Sequence, residues 1–182
     1  FTPRERDRPN RPFRLLFVGN WNRLKGVDLL APILHALGDG FELHYTADRN
    51  GTERRVALPE HSLCLGRLDQ EALREAYRQA DALIFPSRLE GLPLVVIEAM
   101  ACGLPVIAAN TSALPELVEH GMTGLLCPVD DVAAFAAAAH ALAADPARWR
   151  AMRQAARQRA VASFSEARQI ERWVELYRSL AP

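Results

Sequence analysis

The sequence predicts an α/β fold in which helices cover both faces of a parallel sheet. Short apolar runs alternate with segments of helical periodicity from residue 13 to residue 128, and this alternation is typical of βα units on a parallel sheet. Beyond residue 130 the periodicity is helical only. Glycines and polar residues follow several predicted strands, at the edge where open parallel sheets bind ligands. The predicted fold is therefore Rossmann-like, with extra C-terminal helices.

The predicted strands are short apolar runs bounded by turn residues. They are residues 13–18, 41–47, 62–66, 82–86, 105–109 and 124–128. The predicted helices between them have apolar residues at helical spacing. They are residues 26–37, 70–80, 94–102 and 114–120. Pro93 in the first turn and Gly103 after the last suit the ends of the third helix. Three helices follow the sheet: Asp130 or Asp131 caps the first, Asp145-Pro146 opens the second, and the third is 166–180.

Composition restricts the class of protein. Of the 182 residues 49% are hydrophobic and 24% charged, as in an ordinary globular domain. The 22 basic and 22 acidic residues balance, so nucleic acid is not an expected partner. Three cysteines lie in apolar stretches without a C-x-x-C spacing, which favours buried, reduced thiols and a cytosolic protein. No apolar run is long enough to cross a membrane.

The first twelve residues differ from the rest of the chain. The segment "FTPRERDRPNRP" is rich in arginine and proline and has no periodicity. Residues 1–12 are therefore predicted to be a linker, and residues 13–182 the domain that follows it. Because the chain begins at Phe1 and not at a methionine, we expect it to be part of a longer protein.

The loop after the first predicted strand contains the only lysine of the chain. Lys25 lies in "GNWNRLKG", whereas every other residue of the Lys and Arg type is an arginine. A compact, strongly hydrated ammonium suits the neutralisation of phosphate. The alternative is a compositional bias toward arginine that left one lysine here by chance.

The helix predicted at 94–102 is apolar except for Glu98. Its first amides, those of Leu94 and Val95, face the predicted ligand crevice and would attract an anion such as a diphosphate. Gly91, just before it, allows close approach of a ligand to the backbone. A carboxylate in apolar surroundings needs a partner. Two kinds of partner are open: an arginine such as Arg88, or the hydroxyls of a vicinal diol such as ribose.

The segment "FPSRLEGLPLVVIEAMACGLPVIA" resembles the two-glutamate signature of GT-B fold glycosyltransferases, family 4 type. The segments "LLFVGNWNRLKGVDLL", "LCLGRLDQEALREAYRQADALIFPS" and "LPELVEHGMTGLLCPVDD" are similar to neighbouring parts of that family. The resemblance covers residues 13–180. It implies that the chain is the C-terminal, donor-binding half of a GT-B fold and that "FTP" belongs to the linker between two domains. The N-terminal acceptor-binding domain would then lie outside these residues.

The resemblance also implies a role for individual residues. Glu90 and Lys25 would be the catalytic pair, with Glu90 positioning the sugar and stabilising its developing charge. Glu98 would bind the ribose. The implied diphosphate contacts are Gly19, Arg23, Lys25, Leu94 and Val95; the sugar contacts are Glu90, Gly91 and Leu92; the base is bordered by Gly66, Arg67 and Leu68. Many family members have an arginine directly after the first-strand glycine, where this chain has Asn20. Arg23 is either its replacement or a surface residue.

These roles imply a retaining hexosyltransferase that uses a UDP-, GDP- or ADP-sugar and no metal or other cofactor. Lys25 and a helix N-terminus would stabilise the diphosphate leaving group, and the sequence has no D-x-D. The acceptor would be a glycan or glycolipid in bacterial polysaccharide or lipopolysaccharide assembly, in the cytoplasm or at the inner membrane face. We expect the isolated domain to fold, to bind nucleotide weakly and not to transfer sugar.

Alternatives with the same fold remain open. A nucleotide-sugar epimerase and a non-catalytic sugar-nucleotide binding module both need the same donor site. A phosphorylase would need a lysine for pyridoxal phosphate, and the only lysine lies in the phosphate loop. A dehydrogenase is disfavoured because the first turn lacks G-x-G-x-x-G. The arginines between 148 and 178 either contact anionic lipid, as in a peripheral membrane protein, or form a solvated face.

Overall fold

A computed structural model of the chain describes residues 1–47 and 56–180. Within them six strands form one sheet in the order β3-β2-β1-β4-β5-β6. The strands are β1 (Phe13–Phe17), β2 (Phe41–Tyr45), β3 (Ser62–Cys64), β4 (Ala82–Phe85), β5 (Val106–Ala109) and β6 (Gly124–Cys127). Each neighbouring pair is parallel. The predicted α/β fold class, a Rossmann-like parallel sheet, is confirmed.

Helices connect the strands and follow the last of them. They are α1 (Val27–Leu37), α2 (Gln70–Gln79), α3 (Leu94–Ala101), α4 (Leu114–Leu117), α5 (Val132–Ala144), α6 (Pro146–Phe164) and α7 (Glu166–Leu180). Asp131 caps α5 and Asp145 caps α6 through side-chain hydrogen bonds. Helix α3 begins at Leu94 as predicted, with Pro93 as its N-cap and not as a residue of its first turn. The fourth helix is shorter than predicted, because the backbone turns extended at Val118.

The centre of the sheet is buried on both faces. Every residue of β4 and β5 is buried, which is why these strands are continuous apolar runs without polar alternation. The crossovers from β1 to β2 and from β4 to β5 run in opposite directions along the sheet. Right-handed crossovers therefore place α1 and α3 on opposite faces. Accordingly, α1 packs on α5 and α3 packs on α6.

Residues 1–12 contain no helix or strand and lie against the domain. Their anchor is Asp81, a fully buried carboxylate just before β4. It accepts hydrogen bonds from the Arg6 guanidinium at 2.6 Å, from the Asn10 amide at 3.1 Å and from the Arg14 amide at 2.7 Å. Because the partners come from the segment and from β1, Asp81 ties the start of the chain to the middle of the sheet.

The cysteines divide into two kinds. Cys102 and Cys127 are buried, and burial raises the pKa of their thiols to about 11 and about 12. Cys64 is exposed, so the prediction of three buried thiols is wrong for this residue, which lies on the edge strand β3. In the described part of the chain, no helix is long and apolar enough to cross a membrane.

Candidate functional site

The candidate site lies where the sheet changes direction, between β1 and β4. These strands are neighbours, but each continues to a strand on its other side, so their carboxyl ends open into a crevice that no crossover covers. The loop from Val18 to Gly26 and the loop from Pro86 to Pro93 border this crevice. The predicted diphosphate and sugar residues of both loops therefore lie at the same edge of the sheet.

Gly26 brings the two loops into direct contact. A β-carbon on Gly26 would lie 2.0 Å from the carbonyl oxygen of Pro86, and the residue has a left-handed φ of 70°. Only glycine satisfies both conditions. The preceding residues form a 3₁₀ turn, Arg23–Lys25, which the sequence did not predict and whose N-cap is Asn22. This turn and Gly26 fix the backbone that carries Lys25.

Lys25 and Glu90 form an ion pair at the floor of the crevice. The Lys25 ammonium lies 2.6 Å from Glu90 Oε1, and the Ser87 hydroxyl donates to the same oxygen at 2.5 Å. The Glu90 side chain is only 6% exposed, whereas Lys25 is 25% exposed. An ammonium has three donors, so Lys25 has further hydrogen-bonding capacity toward the open side. The predicted catalytic pair is therefore brought together.

Arg88 joins the loops around this pair. Its guanidinium makes a two-pronged contact with Asp28 at 2.7 and 2.9 Å and donates to Asp130 at 2.7 Å. It also donates to the Arg23 carbonyl, and its backbone amide donates to the Leu24 carbonyl at 2.8 Å. The arginine beside Asp28 lowers the pKa of that carboxyl. Arg88 thus binds the Lys25 turn, the start of α1 and the loop after β6 to one another.

The N-terminus of α3 lies at the crevice, because the helix begins directly after the loop from Pro86 to Pro93. Its N-cap, Pro93, makes no side-chain capping bond, so the amides of Leu94 and Val95 lack the usual cap. The side chains of Leu92 and Leu94 are exposed, and Gly91 lies in open space. The positive end of the helix dipole and the ammonium of Lys25 therefore border the same space.

Glu98 has a partner that the sequence did not suggest. Glu98 Oε2 accepts a hydrogen bond of 3.0 Å from the hydroxyl of the buried Tyr77. Burial raises the pKa of Glu98, while the Tyr77 hydrogen bond acts in the opposite direction. The suggested ion pair with Arg88 is wrong, because that guanidinium is bound to Asp28 and Asp130. Only one oxygen of Glu98 has a partner among the described residues, and the side chain is half-buried.

A cavity lies next to the crevice, beyond the carboxyl end of β1. It has a volume of about 220 Å³ and is lined by Gly19, Asn20, Thr46, Arg67 and Leu68, among others. The indole of Trp21 supports its wall by donating to the Thr46 carbonyl at 2.7 Å. Gly66 lies beside it and accepts from the amide of Ala47 at 2.9 Å. The predicted base-bordering loop and Gly19 therefore line one cavity.

Arg23 is the predicted contact with the weakest geometric basis. Its side chain is exposed and has no ion pair within the described ranges, and its carbonyl accepts a hydrogen bond from Arg88.

The described residues also contain no group of three or more His, Cys, Asp or Glu side chains arranged to hold a metal ion.

A family model described as glycosyl transferases group 1 matches residues 12–145. The chain belongs to this family. A D-inositol 3-phosphate glycosyltransferase 1 from Catenulispora acidiphila is 35% identical over 98% of this chain and 49% of that protein. Sucrose-phosphate synthase from Thermosynechococcus elongatus is 34% identical, with a TM-score of 0.83 over 96% of this chain and 46% of its own.

The predicted GT-B glycosyltransferase domain is thereby confirmed. Anabaena Alr3699/HepE, solved in complex with UDP-glucose, has the same fold with a TM-score of 0.82 at 21% identity, over 92% of this chain and 49% of its own. The chain spans about half the length of the relatives it matches.

In this glycosyltransferase domain, sequence reasoning missed Ser87 and Tyr77 as hydrogen-bond partners of Glu90 and Glu98. Ser87 lies just after β4 and Tyr77 lies on α2, and the periodicity of the sequence does not indicate that either side chain contacts a glutamate.

Proposed function

We propose that the chain is the nucleotide-sugar donor-binding domain of a retaining glycosyltransferase that transfers a hexose without a metal ion. The observation that carries this proposal is the position of Lys25 and Glu90, which form an ion pair beside the free N-terminus of α3. Within this proposal residues 1–12 are the linker and residues 13–182 the donor domain. The acceptor-binding domain is a further part of the whole protein.

The diphosphate would bind between Lys25 and the first amides of α3. Breaking the bond from the sugar to the diphosphate leaves additional negative charge on the phosphate oxygens. The free donors of Lys25 and the N-terminus of α3 would stabilise that charge. A helix N-terminus acts as roughly half a positive charge, so these two groups supply positive charge that other enzymes take from a metal. Gly19 would allow the second phosphate to approach the backbone.

Glu90 would hold the sugar rather than attack it. One of its oxygens is already bound by Lys25 and Ser87, which reduces its strength as a nucleophile. Its second oxygen has no partner among the described side chains and would accept from a sugar hydroxyl, and its charge favours an electron-poor sugar in the transition state. Gly91 and Leu92 lie directly beyond it on the open side of the loop. This geometry supports a positioning role.

Glu98 would accept hydrogen bonds from the ribose. The Tyr77 hydroxyl orients its carboxylate and leaves one oxygen without a partner among the described side chains. A diol would satisfy that oxygen, and the nearby cavity lined by Arg67 and Leu68 could hold the base. HepE was crystallised with UDP-glucose, which makes UDP the first nucleotide to test.

Calorimetric titration with UDP, GDP, ADP and one sugar conjugate of each tests the donor site. For the preferred nucleotide we expect Lys25→Ala to weaken binding by about 10- to 100-fold, the worth of one contact between charged groups. The corresponding nucleoside should bind Lys25→Ala and the parent chain equally. Glu98→Gln should weaken the binding of both the nucleotide and the nucleoside. It should not further weaken the binding of a 2′,3′-dideoxy nucleotide, which lacks the ribose hydroxyls. Equal binding of all nucleotides by all variants would contradict the proposal.

The remaining parts of the proposal concern the whole protein. We propose a glycan or glycolipid acceptor in bacterial surface polysaccharide or lipopolysaccharide assembly, at the cytoplasmic face of the membrane. The 182-residue chain alone should bind donor and release no sugar to acceptors. The longer protein should give a product with the anomeric configuration of the donor, and its turnover should survive chelation. A product that is a free epimerised nucleotide sugar would favour an epimerase.

A further inference from the structure

A cavity lined by arginines lies at the amino-terminal edge of the sheet, opposite the crevice. It has a volume of about 580 Å³ and lies between residues 3–7 and α6, with Gly103 at one side. Gly103 precedes β5, which places the cavity at the edge where the strands begin. Five arginines line it, namely Arg4, Arg6, Arg150, Arg153 and Arg157.

Three of these arginines form a stripe on α6 without carboxylate partners. Arg150, Arg153 and Arg157 are three and four residues apart and so share one helix face. None of the three makes an ion pair within the described ranges. Arg157 donates to the carbonyls of Phe1 and Ala101, which are neutral acceptors. The stripe is therefore a concentration of positive charge whose members make no ion pair of their own in the described part of the chain.

Arg153 is the most deeply buried member of the stripe. It is only 7% exposed, and one of its terminal nitrogens, Nη1, is buried without a hydrogen-bond partner among the described residues. The other donates to the Arg4 carbonyl at 2.7 Å. Its guanidinium stacks on Trp149 at 4.6 Å, and Arg6 lies 5.3 Å from the same ring.

No carboxylate forms an ion pair with Arg153 among the described residues. The nearest buried carboxylate, Asp81, is already bound by Arg6 at 2.6 Å. Burial, together with the positive charge of Arg6, lowers the pKa of Arg153 to about 10. An anion in the cavity would reduce the repulsion between the two guanidinium groups.

We propose that this cavity binds a phosphate group, carried by a free phosphorylated metabolite or by a lipid headgroup. Phosphate matches the planar fork of donors on a guanidinium. Arg153 lines the cavity with one nitrogen unpaired, and the exposed Arg150 has no other partner in the described structure. Glu5 and Asp7 also line the cavity, so five guanidinium groups and two carboxylates surround it. The site is separate from the donor crevice.

The indole N–H signals of the tryptophans distinguish the two sites in ¹H–¹⁵N spectra of the chain. Trp149 Nε1 donates to the Asp81 carbonyl beneath the arginine cavity, whereas Trp21 Nε1 lies beside the crevice. Titration with inorganic phosphate should shift the Trp149 signal to saturation, in the parent chain and in Lys25→Ala alike. Trp21 should report any phosphate in the crevice.

Variants on α6 test the contact between phosphate and the arginine stripe. Arg150→Gln should weaken the phosphate affinity seen at Trp149 about fivefold, as expected for loss of one partly exposed charged contact. Arg148→Gln changes an exposed arginine of the same helix outside the cavity and should have no effect. Arg153→Gln should abolish saturation, provided that its spectrum remains that of a folded chain. Arg150→Gln keeps the test decisive if Arg153→Gln unfolds.

Vesicles separate the two sources of phosphate. The site would be assigned to a lipid headgroup if the chain co-sediments with phosphatidylglycerol vesicles but not with phosphatidylcholine vesicles. Added phosphate and the Arg150→Gln substitution should then both reduce this co-sedimentation. Saturation by phosphate without such sedimentation would assign it to a free metabolite. A Trp149 signal that does not move with millimolar phosphate overturns the proposal. Equal phosphate affinities for Arg148→Gln and Arg150→Gln overturn it as well.

Discussion

Replacement of Gly26 by alanine tests how rigidly the two crevice loops are joined. The new β-carbon would lie 2.0 Å from the Pro86 carbonyl oxygen, at a left-handed φ of 70°. The left-handed conformation costs an alanine about 1–2 kcal/mol. The overlap is with backbone and cannot be relieved by a rotamer change, so it adds about 1–3 kcal/mol. We expect the free energy of unfolding to fall by about 2–5 kcal/mol.

Gly121→Ala is the matched control for this substitution. Gly121 also has a positive φ, of 81°, but a β-carbon there would meet nothing within 4 Å. It should therefore lose only about 1–2 kcal/mol. Urea unfolding measures both losses, and nucleotide titration should show weaker binding only for Gly26→Ala, because the Lys25 turn must move. If both variants lose the same stability and keep the same affinity, the contact between the loops does not position Lys25.

Four further predictions concern the site and the exposed cysteine. Arg88→Ala should weaken nucleotide diphosphate binding about tenfold through the loosened Lys25 turn, and leave nucleoside binding unchanged; equal losses for both ligands would point to general unfolding. Binding should decline as the pH falls toward the raised pKa of Glu98, because a protonated carboxyl accepts hydrogen bonds poorly. Tyr77→Phe removes a hydrogen bond that lowers that pKa, so the decline should begin at a higher pH; an unshifted profile would rule out this coupling. A thiol reagent should modify Cys64 and spare the other two cysteines until the chain unfolds, as counted by mass spectrometry.

The raised pKa of Glu98 also makes the stability of the fold depend on pH. A carboxyl whose pKa is raised on folding favours the folded state most when it is protonated. The contribution of Glu98 is therefore fully present below the pKa of the unfolded chain and is lost as the pH rises through the folded pKa. A bound ribose would offset this cost at neutral pH by supplying hydrogen bonds to the ionised form.

Periodicity predicted the order of the elements because each strand of a buried parallel sheet is a short apolar run. The same reasoning predicted that Lys25 and Glu90 lie at one edge, since the carboxyl ends of parallel strands converge. Which atoms pair there could not be predicted. Tyr77 reaches Glu98 from a separate helix, and Arg88 binds one carboxylate at the start of α1 and another in the loop after β6. These choices depend on rotamers and loop conformation, which leave no periodic signal in a sequence.

The exposure of Cys64 and the end of α4 at Leu117 have a similar explanation. An apolar stretch at the edge of a sheet is covered on fewer sides than one in its centre, so its residues are not buried by composition alone. The helical pattern at 114–120 contains a valine, Val118, whose extended backbone ends the helix. Local propensity is a weak guide for so short an element.

The direction change between β1 and β4 has a consequence for folding. Lys25 and Glu90 are 65 residues apart, and Arg88 and Asp28 are 60 apart. Contacts of this separation form only after long loops have closed. Neither half of the sheet contains a complete crevice, so an incompletely assembled chain has no diphosphate site. A nucleotide that binds there would select the fully assembled sheet, and saturating ligand would raise the midpoint of thermal unfolding in proportion to the logarithm of its concentration.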